Sequence, residues 1–164
     1  MKNTCIITSA STKFFPSLIN LLGSIAKNYP NHPDVYVYDI GLFFTMRKEL
    51  ESISWVHVLD VPHFVPHWRA CYTWKTYILN TPLAEHNLYI DAGCQVLRPL
   101  DDVFTKIESQ GYLAVSQGLT VNIQDITPQE YLDMYHLSPE DAKAEVITAG
   151  IFGCKKDAVI TPVT

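Results

Sequence analysis

The stretch Asn87-Leu88-Tyr89-Ile90-Asp91-Ala92-Gly93-Cys94 holds the residues of this chain best placed to do chemistry. A short apolar run ends on one carboxylate, Asp91, followed at once by two very small residues. Open α/β sheets gather their ligands at the carboxyl ends of the strands. A carboxylate in that position holds a divalent cation or a ligand hydroxyl, and Ala92-Gly93 leaves room for a ligand to approach the backbone. The same residues equally describe a strand-terminal turn in which Asp91 caps the next amides. A second group, His63, His67 and Cys71, falls at intervals of four, which on one continuous helix would present three zinc ligands. Pro66 interrupts that helix and no fourth ligand has suitable spacing, so a polar loop with ordinary histidines is the better reading.

The elements that must position these residues alternate in type. Thr4 to Thr8 reads as a buried strand running into the polar Thr8-Ser9-Ala10-Ser11-Thr12. A helix follows, with Pro16 in its first turn and Phe15, Leu18, Leu21, Leu22 and Ile25 at helical spacing. Asn28 to Pro33 is rich in breakers and stops it. Strands are expected over Asp34 to Asp39, Trp55 to Leu59, Asn87 to Ile90 and Tyr112 to Val115, and over Val146 to Cys154 with an interruption at Ala149-Gly150. Helices are expected over Phe44 to Ile53, Arg69 to Leu79 and Asp101 to Ser109, with a short helical turn at Asn80-Thr81-Pro82 and a loop over Asp60 to Pro66. Thr127 to Lys143 holds one or two helices, Thr127 and Ser138 serving as N-caps before a helix-starting proline. Strands and helices in alternation predict an α/β fold with a parallel-rich sheet covered on both faces.

Composition narrows the function classes. A chain of 164 residues suits one domain spanning 1–164. With 48% hydrophobic and 18% charged residues it is expected to be globular rather than disordered. The net charge of −5, with scattered Lys and Arg, argues against a nucleic-acid partner. No apolar run nears the roughly 20 residues of a membrane span, and the N-terminal apolar stretch is too short for a signal-peptide core. Cys5, Cys71, Cys94 and Cys154 are widely spaced, which predicts reduced thiols and a cytoplasmic setting. Ala158 to Thr164 brings no finishing element, so a chain lacking C-terminal sequence is expected, with a native short terminus as the alternative.

Four stretches, in this order, carry a likeness to a known family. They are Thr8-Ser9-Ala10-Ser11 ahead of a helix; Tyr38-Asp39-Ile40-Gly41-Leu42; the long run Tyr89-Ile90-Asp91-Ala92-Gly93 through Pro99-Leu100-Asp101-Asp102-Val103-Phe104; and Ile147-Thr148-Ala149-Gly150-Ile151-Phe152-Gly153. Together they span positions 4 to 156. They resemble the nucleotide-sugar glycosyltransferases of the GT-A fold, nearest to the glycogenin and galactosyltransferase-like groups and their uncharacterised relatives. The resemblance implies a Rossmann-like, mostly parallel sheet and transfer of a sugar from a nucleotide-diphospho-sugar, such as a UDP-sugar, to an acceptor hydroxyl of unknown identity. In metal-dependent members a DxD motif clamps Mn²⁺ or Mg²⁺ on the donor diphosphate. Here its second carboxylate is replaced by Gly93, which leaves Asp91 as the candidate metal ligand.

The resemblance also distributes roles. Thr8, Ser9 and Asp39 would meet the nucleotide, Asp91 and Gly93 the donor, and Thr148, Ala149 and Gly150 the donor sugar. Lys75, with Arg69 roughly two turns earlier by helical rise, would answer the diphosphate charge. Each has a plainer alternative. Lys75 can be a solvated surface lysine, Asp39 a turn cap before Gly41, Thr8 and Ser9 a helix cap, and Ala149-Gly150 a β-bulge. Trp68, Tyr72 and Trp74 suit core packing better than sugar stacking, and Asp101 and Asp102 read as first-turn helix residues. No general base stands out. A non-catalytic nucleotide- or carbohydrate-binding module is the rival to a transferase.

Overall fold

Seven uncharged residues, Thr4–Ala10, rich in β-branched side chains, form the first strand, β1, buried along nearly its whole length. The computed structural model describes residues 3–62, 69, 72–118 and 121–158. After a 3-10 turn at Thr12–Phe14, the helix α1 runs over Phe15–Asn28 with Pro16 in its first turn. Its buried face is the predicted one: Phe15, Leu18, Leu21, Leu22 and Ile25. Next come β2 (Val35–Asp39), α2 (Phe44–Glu51), β3 (Val56–Asp60), α3 (Thr73–Leu79) and β4 (His86–Ile90). The chain continues through α4 (Asp101–Gln110), β5 (Tyr112–Ser116), α5 (Ile123–Ile126), α6 (Gln129–Met134) and β6 (Ile147–Lys155).

Among the described residues the strands form one six-stranded sheet in the order β3-β2-β1-β4-β6-β5. The pairs β1-β2, β2-β3 and β1-β4 are parallel. Strand β6 lies antiparallel between β4 and β5. The sheet is therefore mostly parallel, as expected, with a single reversed strand set next to β4. Alternation along the strands sends side chains to opposite faces. Ile6, Val35, Val37, Leu88 and Ile90 pack with Leu18, Leu21 and Ile25 of α1, Leu50 of α2, and Phe104 and Ile107 of α4. Cys5, Ile7, Tyr38 and Tyr89 pack on Trp74 and Ile78 of α3. Both faces carry helices.

Several boundaries differ from the sequence expectation. Helix α3 starts at Thr73 because Tyr72 is left-handed at φ 55°, a conformation that no helix can pass through. The helical turn expected at Asn80-Thr81-Pro82 is instead the end of α3, where the Asn80 and Thr81 amides donate to Thr76 and Ile78. Thr127 closes α5 rather than opening the next helix, and Pro128 is the N-cap of α6. Ser138 Oγ accepts from the Asp141 amide at 3.0 Å, but no α-helix follows: the next element is the 3-10 turn Asp141–Lys143, and its N-cap is Glu140. Strand β6 runs through Ala149-Gly150, and the expected interruption survives as a slip of register: Ala114 faces Phe152 while Ser116 already faces Ile147. Among the described residues no helix is long and apolar enough to cross a membrane, and Cys5, Cys94 and Cys154 are free thiols.

Candidate functional site

Strand β4 delivers Asp91 to the carboxyl edge of the parallel strands. Ile90 pairs with Ile151 on the reversed strand, so the Asp91 amide donates to the Gly150 carbonyl at 2.8 Å. The Asp91 carbonyl accepts from the Cys94 amide at 2.9 Å and makes the turn. The backbone of Asp91 thus does the capping, and its carboxylate is left for other partners. Residues two apart on a strand share a face, which sets Tyr89 beside Asp91. The Tyr89 hydroxyl lies 2.7 Å from Asp91 Oδ1 and 3.0 Å from Ser9 Oγ. Ser9 is on the same face because Ile7 of β1 pairs with Tyr89, two positions before it.

From the other side, Lys75 Nζ donates to Asp91 Oδ1 and Oδ2 at 2.9 and 3.1 Å, and to the Ala149 carbonyl at 3.0 Å. It also lies 5.1 Å from the Tyr89 ring centre and 5.5 Å from that of Trp74. The Lys75 side chain is 19% exposed and that of Asp91 40%, so the pair is held firmly yet faces open space. Burial, then the hydrogen bond to Asp91, pushes the Tyr89 phenol well above its usual range. Burial, then the Asp91 charge, raises the Cys94 thiol, which stays a neutral neighbour.

The space they face is a cleft of about 600 Å³. Ser9, Lys75 and Asp91 line it together with Ala92 and Gly93, and the hydroxyls of Ser11 and Ser17 add donors and acceptors. Phe14, Tyr72 and Trp74 give it aromatic surface, and Arg69 contributes a second cation. Lys75, Arg69 and Asp91 are the charged side chains of its lining, on a chain whose net charge is −5. Cations lining a cleft favour an anionic ligand. Asp91 is its lining carboxylate, and among the described residues no group of three or more His, Cys, Asp or Glu side chains could hold a metal ion.

The other predicted residues fall in three places. Thr8 points to the opposite face of β1, is fully buried, and its Oγ1 has no partner among the described residues. Asp39 caps the turn after β2: its Oδ1 accepts from the Gly41 and Leu42 amides at 2.8 and 2.7 Å, and its Oδ2 pairs with Arg47 at 3.2 Å. Gly41 sits at φ 125°, and the Arg69 guanidinium comes within 3.6 Å of where a Cβ would stand. Asp39 therefore shapes the wall against which Arg69 rests. Thr148, Ala149 and Gly150 flank the Lys75–Asp91 pair chiefly through backbone: the Ala149 and Gly150 carbonyls fix Lys75 and Asp91, and Thr148 Oγ1 accepts from the Gly150 amide at 3.2 Å. His63, His67, Trp68 and Cys71 lie outside the described residues. Sequence reasoning overlooked Tyr89, Ser11, Ser17 and Phe14; strand parity from Asp91 was the signal that could have found Tyr89.

No protein-family model matches the chain, and no curated protein sequence does. Solved structures match it closely in shape. An active-site mutant of LgtC superposes with a TM-score of 0.64 at 16% identity, over 93% of this chain and 57% of that one. The galactosyltransferase LgtC in complex with donor and acceptor sugar analogs gives 0.63 at 15% identity, over 93% and 58%. The bifunctional glycosyltransferase WbbM gives 0.64 at 13% identity, over 96% of this chain and 32% of that one. The chain thus spans little more than half the length of LgtC. At these identities the likeness is one of fold, and that fold is the GT-A arrangement of glycosyltransferases.

Proposed function

We propose that this chain binds a nucleotide-diphospho-sugar in the cleft above Asp91 and takes part in transferring its sugar to an acceptor hydroxyl. The observation that carries the reading is the Lys75 ammonium, held by Asp91 and the Ala149 carbonyl at the carboxyl edge of the parallel strands. In the transfer, the bond between the anomeric carbon and the diphosphate oxygen breaks, and the nucleoside diphosphate leaves with the electron pair. The acceptor oxygen forms the new bond and releases its proton. What the protein must supply is charge for the leaving group and a fixed geometry. Lys75 supplies the first, with Arg69 on the facing wall. Ser9, Ser11 and Ser17 offer hydroxyls to the nucleoside, and Ala149 and Gly150, whose carbonyls hold Lys75 and the Asp91 amide beside the cleft, would lie toward the sugar.

Titration of the full-length protein with UDP, ADP and GDP, beside assays of donor hydrolysis and transfer, tests this. At least one nucleoside diphosphate is expected to bind, with donor turnover for the sugar form of the same nucleotide. Failure of all three to bind refutes the reading. Gly93 in place of a second carboxylate favours a second reading, a module that binds the nucleotide without turnover. Binding with no turnover of any matching donor sugar selects that one.

A further inference from the structure

The likeness to metal-dependent glycosyltransferases implies a Mn²⁺ or Mg²⁺ between two carboxylates and the donor diphosphate, yet the residues of this cleft do not fit such an ion. A hard cation takes six or more oxygen ligands at 2.0 to 2.6 Å, with carboxylates leading the set. Here both oxygens of Asp91 already contact the Lys75 ammonium, and Oδ1 accepts from Tyr89 as well. A divalent ion on either oxygen would press against the ammonium charge. Gly93 adds no side-chain ligand, and packing does not demand a glycine there: among the described residues nothing lies within 4 Å of its Cβ position, and its φ is not left-handed.

We propose that this site takes its diphosphate without a divalent cation, with the Lys75 ammonium standing where the metal would and Asp91 acting as its positioning residue. The inference rests on the reading of the cleft as a donor site. Three acceptors hold the ammonium, two from Asp91 and one from Ala149, and the Tyr89 ring lies beneath it. A lysine on a flexible stem becomes a fixed charge when it is tethered in this way. The tether comes from two strands, β4 and the reversed β6, so the charge is placed by the sheet itself. Arg69 lines the same cleft as a second cation toward an anionic diphosphate.

Calorimetric titration of the full-length protein with UDP, ADP, GDP and inorganic pyrophosphate, in EDTA and again in excess MnCl₂, tests the proposal. The tightest of these ligands is expected to keep its Kd within about threefold between the two buffers, with charge-assisted contacts to protein donors carrying the binding. Lys75→Met should weaken it roughly tenfold or more in both buffers, while Lys75→Arg retains most of the affinity because charge is conserved. Asp91→Asn should cost only about three- to tenfold and leave the indifference to Mn²⁺ intact, since it loosens the tether without removing the cation. Binding that collapses in EDTA and returns with MnCl₂ overturns the inference and leaves the proposed function standing. No binding of any nucleoside diphosphate in either buffer overturns both.

Discussion

Tyr89 is where the cleft meets the core. Its ring is 2% exposed among Cys5, Ile7 and Trp74, while its hydroxyl touches Ser9 and Asp91. A hydrogen bond to a charged group is worth about 1.5–3 kcal/mol, whereas an ion pair open to solvent is worth about 0–1 kcal/mol. Tyr89→Phe is therefore expected to lower stability by about 2 kcal/mol, and Lys75→Ala by less. The order reverses for nucleoside diphosphate binding, where Lys75→Ala does the greater damage. Urea unfolding and ligand titration on the same two variants check this, and a Lys75 variant that unfolds more easily than Tyr89→Phe would contradict it. Asp91 and Lys75 were legible in the sequence because one ends a strand and the other sits in the preceding helix. Their direct ion pair was not, since 16 residues of chain separate them and only the fold closes that gap. Parity separates Thr8 from Ser9 on β1, and that was not legible, because the strand was expected to end at Thr8 and its burial along nearly the whole of Thr4–Ala10 leaves no alternation to read.

Among the elements, β6 has most to answer for. Gly153 allows α4 to lie against it: a Cβ there would meet Ile107 Cδ1, stand 2.7 Å from Ile107 Cγ1 and 3.1 Å from Leu113 Cβ. Ile107 is fully buried and has little room to retreat. Gly153→Ala is expected to cost about 1–3 kcal/mol by overpacking, read as a fall in the urea midpoint; an unchanged midpoint would show that α4 shifts freely. Long periodic elements were readable because burial imprints a period on the sequence, as the face of α1 demonstrates. Helix α5 was not, because four residues carry no period; its one signal was the capping box of Asn122 and Asp125. Nor was the reversed direction of β6, since apolar alternation reads the same along either direction of a strand.

On the scale of the whole molecule, buried phenols and a buried thiol set the alkaline limit. Burial, with Asp101 for Tyr29 and Tyr77 for Tyr38, pushes both phenols up to about 12, and burial raises the Cys5 thiol to about 12. Tyr89 is raised as well. In the unfolded chain these groups ionise near the ordinary values of a free thiol and phenol, 9.0 and 10.0, ahead of the folded state. Raised folded-state values mean that their stability is whole below about pH 9 and is lost as the pH climbs through about 12. The urea midpoint should fall steeply between about pH 9 and about pH 11, several groups adding their slopes; a flat profile across that interval would show these groups exposed. The placement of β6 has a further consequence, for the order of assembly. Strands β3, β2, β1 and β4 can pair as soon as the ribosome has released them, but β5 emerges with no neighbour to join. It must wait until β6, made later, wedges in beside β4. Ala149 and Gly150 arrive on that same strand, so the nascent chain can pair four strands while the carbonyls that hold Lys75 and the Asp91 amide are still missing, and the seating of the cleft's ammonium becomes a property of the last strand made.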